Sequence, residues 1–527
     1  MLTRKVLSLL CASSILMSGS VLAEEPAPAV GFEASADELT AENVSDIQST
    51  NDAAVSMEFG TEEDALPDEE CEELGTAELM ALKFDGGSGT EEDPYLISTE
   101  AQLALVADIP TKCFKLTKDI ALEGDWITLG EYGDAFSGVF DGGGFTVSNM
   151  NVKDGSGFFR EVTGTVRNLN VEGNVTSTKQ YTGGLAGKSS GSFESCSFSG
   201  SVTSNYGDGS TSSPIGGLIG YQERGSLKDC FTTCDVSGDN HVGGLIGYAS
   251  CYNNINELNI KNCYASGKVI GDSCVGGLAG YFKALIENCH STGDIYGDDS
   301  VGGLIGGGRG TIKNSYAECD LYPTKNGGDA GGLVGYTSGY ITIIGCYAIG
   351  NIKENKNDTD VYRFYRCAGL VGSPDGYNTT IIRNCFFRGS MIGSTYVAGL
   401  ATYSSYSNID INIENSYAAC TLSASNKYGL SDSGTAVNSY YDSQLSGCND
   451  TNHGTPKTTA GMKNQLIYDG WDFDDVWTID ESGQTNDGYP YLQWAFKDSV
   501  RLTDIRLDKT NAEIKIGSTL TLNAVAE

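Results

Sequence analysis

The sequence predicts an all-β chain wound as a parallel β-helix, a β-solenoid of about ten coils with a cap at each end. Three observations predict it. A glycine-rich block returns roughly every 30 residues, an alternation of small and polar side chains follows it, and an asparagine stands just ahead of most of the alternating stretches.

The block is plainest as Gly183-Gly184-Leu185-Ala186-Gly187. It returns as Gly216-Gly217-Leu218-Ile219-Gly220, again from Gly243, Gly276, Gly302 and Gly331, and as Ala368-Gly369-Leu370-Val371-Gly372. Ala398-Gly399-Leu400 and Tyr428-Gly429-Leu430 are worn copies, and Gly157-Phe158-Phe159 is the first. In Cys263-Tyr264-Ala265-Ser266-Gly267-Lys268-Val269, Cys, Ala, Gly and Val fall on one face of a strand and Tyr, Ser and Lys on the other. Cys289, Ser291, Gly293 and Ile295 repeat the inward set, as do Cys346, Ala348, Gly350 and Ile352. Small residues in register suit a narrow interior in which each coil touches only its neighbours. Asn168, Asn262, Asn288, Asn314, Asn384, Asn415 and Asn438, with Asp229 in the same place, form a turn column, because Asn tolerates left-handed torsions.

The flanks read as follows. Arg4 and Lys5 precede an apolar run closed by Val21-Leu22-Ala23, so residues 1–23 are expected to be a secretory signal. Residues 24–82 contain no Lys or Arg and are expected to form a disordered acidic leader. Residues 83–152 are expected to cap the N-terminal end and supply the first coil, with a strand at Pro94-Tyr95-Leu96-Ile97 and a short helix over 99–108. Residues 153–445 carry the repeats. Residues 446–497 hold Trp471, Trp477 and Trp494, three of the four tryptophans, and are expected to plug the other end.

These residues carry a resemblance. The Gly-Gly-Leu-Ile-Gly blocks resemble the GLUG motif of bacterial surface proteins, and Phe84-Asp85-Gly86-Gly87-Ser88-Gly89-Thr90 and Gly488-Tyr489-Pro490-Tyr491-Leu492 are similar to the flanks of such arrays. The tail, with Ile505-Arg506-Leu507 and Ile516-Gly517-Ser518-Thr519-Leu520, resembles the opening of a group 2 bacterial immunoglobulin-like domain over residues 498–527. It is too short to close a sandwich of about 80–100 residues, so a truncated product is expected. The resemblance implies a secreted or envelope-associated surface module that adheres or scaffolds, with a glycan or a surface protein as partner. GLUG arrays also accompany the catalytic part of IgA-cleaving zinc peptidases. The three histidines, His241, His290 and His453, show no HExxH spacing, so the zinc chemistry is not carried over.

Charge and composition narrow the classes. A net charge of −36 argues against nucleic acid and anionic lipid, and no later run approaches the roughly 18 apolar residues that would insert in a membrane. No catalytic constellation is visible, so the reading is a non-enzyme without a cofactor. The rival is a β-helix polysaccharide lyase or glycosidase, or the non-catalytic region of a larger surface peptidase. Its one candidate site is Asp239, Asp272 and Asp298, each four residues before a glycine pair, which would stack as an acidic ladder able to take Ca2+ or simply serve as turn aspartates. No Lys or Arg column accompanies the ladder.

The binding reading has its own carrier. Phe231, Tyr264, His290, Tyr316, Tyr347, Phe386, Tyr417 and Tyr440 each follow the inward Cys or Ser by one residue and are expected to point outward in one stripe. Such a stripe can hold a ligand, or its rings can stack on one another or lie under the inserts around 355–366 and 373–379. The sixteen cysteines divide in the same way. Cys196, Cys230, Cys263, Cys289, Cys346 and Cys385 share one inward column and Cys234, Cys319 and Cys420 another, and both are expected as buried thiols because parallel Cβ vectors disfavour bridging. Any disulfide is expected among Cys71, Cys113, Cys251, Cys274, Cys367 and Cys448.

Overall fold

The computed structural model describes residues 83–131, 133–205, 213–251, 258–356, 360–374, 378–402, 410–480, 482–496, 505–507 and 524–526. The signal, the acidic leader, and with them Cys11 and Cys71, lie outside the described residues. About ten parallel coils stack into a β-solenoid. Its walls are parallel sheets of 18, 16 and 9 strands among the described residues. One coil shows the plan. Ile219–Gln222 and Gly225–Lys228 lie in the widest sheet, Phe231–Ser237 in the second and Asn240–Gly243 in the third, before Ile246–Ser250 re-enters the first.

The glycine block marks the passage from the third wall back to the first. Its leucine points into the lumen. Leu185, Leu218, Leu245, Leu278, Leu304, Leu333, Leu370, Leu400 and Leu430 are all fully buried, one above another. The backbone rises through them, Leu218 N–H donating to Leu245 O at 2.8 Å and Leu245 N–H to Leu278 O at 2.9 Å. The second glycine of a block faces the inward residue of the second wall, a small one at Gly217, Gly244, Gly277, Gly303, Gly332 and Gly399 and an aromatic ring at Gly184, Gly369 and Gly429. A Cβ on Gly303 would overlap the carbonyl oxygen of Gly332 and sit 2.9 Å from the Ala317 Cβ, and Gly244 stands in the same relation to Gly277 and Ala265. This close approach explains why glycine and a small inward residue recur together.

The corner between the first and second walls is left-handed. Asn168, Asp229, Asn262, Asn288, Asn314, Asn384, Asn415 and Asn438 all have φ between 45 and 54°. They form a side-chain ladder in places, Asn262 Nδ2 donating to Asp229 Oδ1 at 2.9 Å and Asn288 Nδ2 to Asn262 Oδ1 at 3.1 Å. Ser195 takes the same torsion without an amide, and Gly345 fills the position once. A second left-handed corner, at His241, Cys274 and Ser300, precedes the third wall's Val and Gly.

The two flanks differ from expectation. The N-terminal region supplies more than one coil, since Tyr95–Ile97 pairs with Phe114–Leu116, which pairs with Val139–Asp141, which pairs with Thr165–Arg167, all parallel, and its helix buries Leu103 and Val106 in the solenoid core. Its coils belong to the solenoid, and Phe114, Phe136, Phe140, Phe158 and Phe159 pack together in the lumen, where the register partners of Phe136, Phe140 and Phe159 in the following coil are Val162, Val166 and Ala186. The expected helix is α over Glu100–Ala104, opened by a Thr99/Gln102 capping box, and 3-10 over Leu105–Asp108. At the other end Thr455–Lys457 adds the last rung to Tyr440–Asp442. The tryptophan segment does not plug that end. It turns back along the outside of the second wall and builds a second hydrophobic core there.

The described cysteines are all free thiols. Cys367, expected outside the inward columns, stands in one of its own, paired between Ala330 and Val397 in the third wall and fully buried. Of the tail, Ile505–Leu507 pairs antiparallel with Ala524–Ala526, and its remaining residues lie outside the described ones.

Because Val275 and Val301 are register partners, removing residues 276–301 takes out one whole coil and rejoins the chain in phase. The shortened protein is expected to stay folded, with unchanged β signature by circular dichroism and a smaller radius of gyration by X-ray scattering. Global unfolding would contradict nearest-neighbour stacking.

Candidate functional site

The aromatic stripe is real as a column. Phe231, Tyr264, His290, Tyr316, Tyr347, Phe386 and Tyr417 are successive register partners on the outer face of the second wall. Their rings stack at 4.9, 4.9, 4.7, 4.8, 4.9 and 5.2 Å, with planes within 7° of parallel. Each ring therefore covers its neighbour's face. Burial lowers the pKa of His290 below the ordinary imidazole value, so it stacks as a neutral ring at physiological pH.

Half of the stripe is not available to a ligand, which corrects the expectation of one outward row. Tyr347, Phe386, Tyr417 and Tyr440 are buried, whereas Phe231, Tyr264, His290 and Tyr316 are only half-buried. The cover is the returning C-terminal segment. Trp471 and Trp477 pack at 4.4 Å from one another over Tyr417, and Tyr468 meets Tyr440 edge-on at 5.2 Å. Polar bonds fix it in place. Trp471 Nε1 donates to Asn438 O at 2.7 Å, Tyr417 Oη to Pro490 O at 2.7 Å, Tyr489 Oη to Asp442 Oδ2 at 2.7 Å, and Trp494 Nε1 to Gly345 O at 3.0 Å.

The acidic ladder forms in the backbone. Asp272 N–H donates to Asp239 O at 2.6 Å and Asp298 N–H to Asp272 O at 2.9 Å, so the three stack as expected. Yet Lys325 Nζ sits 2.9 Å from Asp298 Oδ2, and its pKa is raised by Asp298 and Asp272. A lysine from the next coil thus pairs with one member of the ladder. Among the described residues no group of three His, Cys, Asp or Glu side chains could hold a metal ion. Asp239, Asp272 and Asp298 are turn residues.

Among the described residues the three histidines stand in separate settings. His241 stands edge-on to Tyr248 and Tyr281, His290 lies within the stripe, and His453 Nδ1 is 3.0 Å from Gly434 O. Burial pushes the Cys234 and Cys319 thiols up to about 12, which keeps them protonated and unreactive.

Sequence reasoning passed over two aromatic features. Tyr296 and Tyr322 stack at 4.6 Å with Lys268 over one ring at 4.5 Å and Lys353 over the other at 5.0 Å. A second ladder runs on the first wall, where Lys188, Tyr221, Tyr248 and Tyr281 are register partners in successive coils. Its signal is present in the chain. Gly220-Tyr221, Gly247-Tyr248, Gly280-Tyr281 and Gly335-Tyr336 each set a tyrosine directly after the last glycine of a block.

Among the described residues no helix is long and apolar enough to cross a membrane. Comparison with known proteins adds two partial relatives. A protein of Evansella cellulosilytica, provisionally named a Gly-rich membrane protein, is 36% identical over 110 residues, which is 19% of this chain and 12% of that protein. Halomucin of Haloquadratum walsbyi is 29% identical over 163 residues, 27% of this chain and 2% of its own length. The chain therefore spans only a small part of either relative. A crystal structure from Bacteroides ovatus, provisionally described as an immunoglobulin A1 protease, aligns over 78% of this chain and 95% of its own at 21% identity and a TM-score of 0.33. The family model of the GLUG motif matches residues 271–296, the stretch that runs from one third-wall corner through the Gly276 block to the second-wall strand with His290. The solenoid thus carries a GLUG motif, seated as one of its coils.

Proposed function

We propose that this chain is an exported cell-surface β-solenoid that acts as an adhesive or scaffolding module, its tail beginning an immunoglobulin-like stalk. One observation carries the reading. The coils set outward side chains in long columns, so a half-exposed row of Phe231, Tyr264, His290 and Tyr316 offers one repeated contact along the rod. The names of the two partial relatives, a membrane protein and a halomucin, support the surface location. Because the ring faces cover one another, the row presents edges and a hydroxyl rim, which suits the surface of a protein partner.

The test is adhesion of beads coated with the full chain to host and bacterial surface-protein preparations, compared with the Tyr264→Ser, Tyr316→Ser double variant. The variant is expected to lose adhesion and about 4 kcal/mol of stability, about 1 kcal/mol for each of the four stacking pairs it breaks. Undiminished adhesion, or a large fall in melting temperature with adhesion intact, would make the row a purely structural ladder.

A further inference from the structure

The aromatic column of the second wall has a cover supplied by the chain itself, and the form of that cover shows which side chain the column accepts. Each indole of the returning segment lies across two successive rings. Trp494 spans Tyr316 and Tyr347, Trp477 spans Phe386 and Tyr417, and Trp471 spans Tyr417 and Tyr440. The six contacts are alike, with centroids 6.1–6.4 Å apart and planes inclined by 36–54°. Because the column rings cover one another's faces, the indoles meet their edges.

Two of the three indoles also make the same hydrogen bond. Trp494 Nε1 donates to Gly345 O at 3.0 Å and Trp471 Nε1 to Asn438 O at 2.7 Å. Gly345 and Asn438 are equivalent positions. Each is the left-handed corner two residues ahead of the second ring that the indole spans, Tyr347 and Tyr440 respectively. The Trp477 N–H has no partner among the described residues. A slot thus consists of two neighbouring rings and one corner carbonyl. Tryptophan suits it because the indole is broad enough to touch both rings and carries its donor on the edge.

The slots continue past the cover. Trp494 reaches Tyr316, where the half-exposed row begins, and the row holds three more ring pairs, Phe231/Tyr264, Tyr264/His290 and His290/Tyr316, at 4.9, 4.9 and 4.7 Å. Their corners are Asn262, Asn288 and Asn314, with φ of 54, 54 and 45°. Among the described residues these three carbonyls accept no turn or side-chain hydrogen bond, and Asn262 and Asn288 are exposed. The row therefore repeats both elements of the occupied slots and directly continues an interface already made with polypeptide.

We propose that the open half of the column binds a segment of a partner protein through tryptophan, each indole lying across two of Phe231, Tyr264, His290 and Tyr316 and donating its N–H to the carbonyl of Asn262, Asn288 or Asn314. The inference rests on the surface-binding reading and names the side chain the partner brings.

The test is isothermal titration of the full chain with a synthetic peptide copying Tyr468–Thr478, which carries the two indoles of adjacent slots. Its four aspartates are replaced by asparagine to remove repulsion from a chain of net charge −36. The peptide is expected to bind, about tenfold more weakly when both tryptophans are 1-methyltryptophan, which keeps the ring and loses the N–H, and at least as much more weakly when both are leucine. Tyr264→Leu, which removes a ring from two open slots and keeps an apolar side chain, is expected to weaken binding about tenfold, with circular dichroism checking the fold. Tyr221→Ala, on the first wall, is expected to leave it unchanged. Binding that survives the leucine or 1-methyltryptophan replacement, or Tyr264→Leu, overturns the slots. So does failure of the tryptophan peptide to bind, and if bead adhesion is still lost in the Tyr264→Ser, Tyr316→Ser variant, the surface-binding reading stands without them.

Discussion

Trp477→Ala is expected to cost about 3–5 kcal/mol, the largest effect of any single substitution in the chain. The side chain is fully buried and touches Trp471, Phe386 and Tyr417 at once. Its indole N–H has no hydrogen-bond partner among the described residues, so the loss is one of packing alone. The damage should be local. Coils transmit stability only to their neighbours, and the second core spans Tyr347 to Tyr440 on the stripe, so protection from hydrogen exchange should fall in Phe386–Ile392 and Tyr417–Ser423 and persist in Ser197–Ser204. Uniform loss along the rod, or no loss, would mean that the returning segment does not brace these coils.

Gly303→Ala is expected to be the most damaging small change, at about 3 kcal/mol or more, because a methyl there has no room to enter. It would overlap a backbone oxygen of the next coil, which cannot rotate away, and press on Ala317 across the lumen. The control lies four residues on. A Cβ on Gly307 points outward and meets Cys274 Sγ at 3.3 Å and the rings of Tyr281 and Tyr336 at 3.6 and 3.7 Å, so Gly307→Ala should be close to neutral. Urea midpoints of the two variants, measured side by side, decide the point. Equal effects would remove the case that the block's glycines are required by coil-to-coil approach.

What could be read in the chain follows from this locality. The direction of Cys263, Ala265 and Val269, the left-handed torsion at Asn288 and the lumen column of Leu residues depend only on a residue's own backbone and the coils above and below it. Each coil repeats the same constraint, so the alternation survives in the sequence. The course of the tryptophan segment depends on a meeting between Trp494 and Gly345, 149 residues apart, and no periodicity encodes that. Density of aromatic residues marks a cover without saying which surface it covers. Lys325 escaped for a related reason, since it comes from an irregular turn outside the repeat and reaches back to Asp298 of the previous coil. The tyrosines after the glycine blocks were legible as a column, but the tilt of Tyr221 arises from Tyr181 on another corner and has no counterpart in the repeat.

The returning segment also decides how the rod would carry a mechanical load. The regular strand stack ends near Lys457, yet Trp494 lies beside Gly345, several coils back. A pull applied beyond Trp494 is therefore delivered to the flank of the rod. The first contacts to bear it are Trp494 against Tyr316 and Tyr347, and the next are those of Tyr489, Trp477 and Trp471. They would be peeled one after another while the coil-to-coil hydrogen bonds stay unloaded.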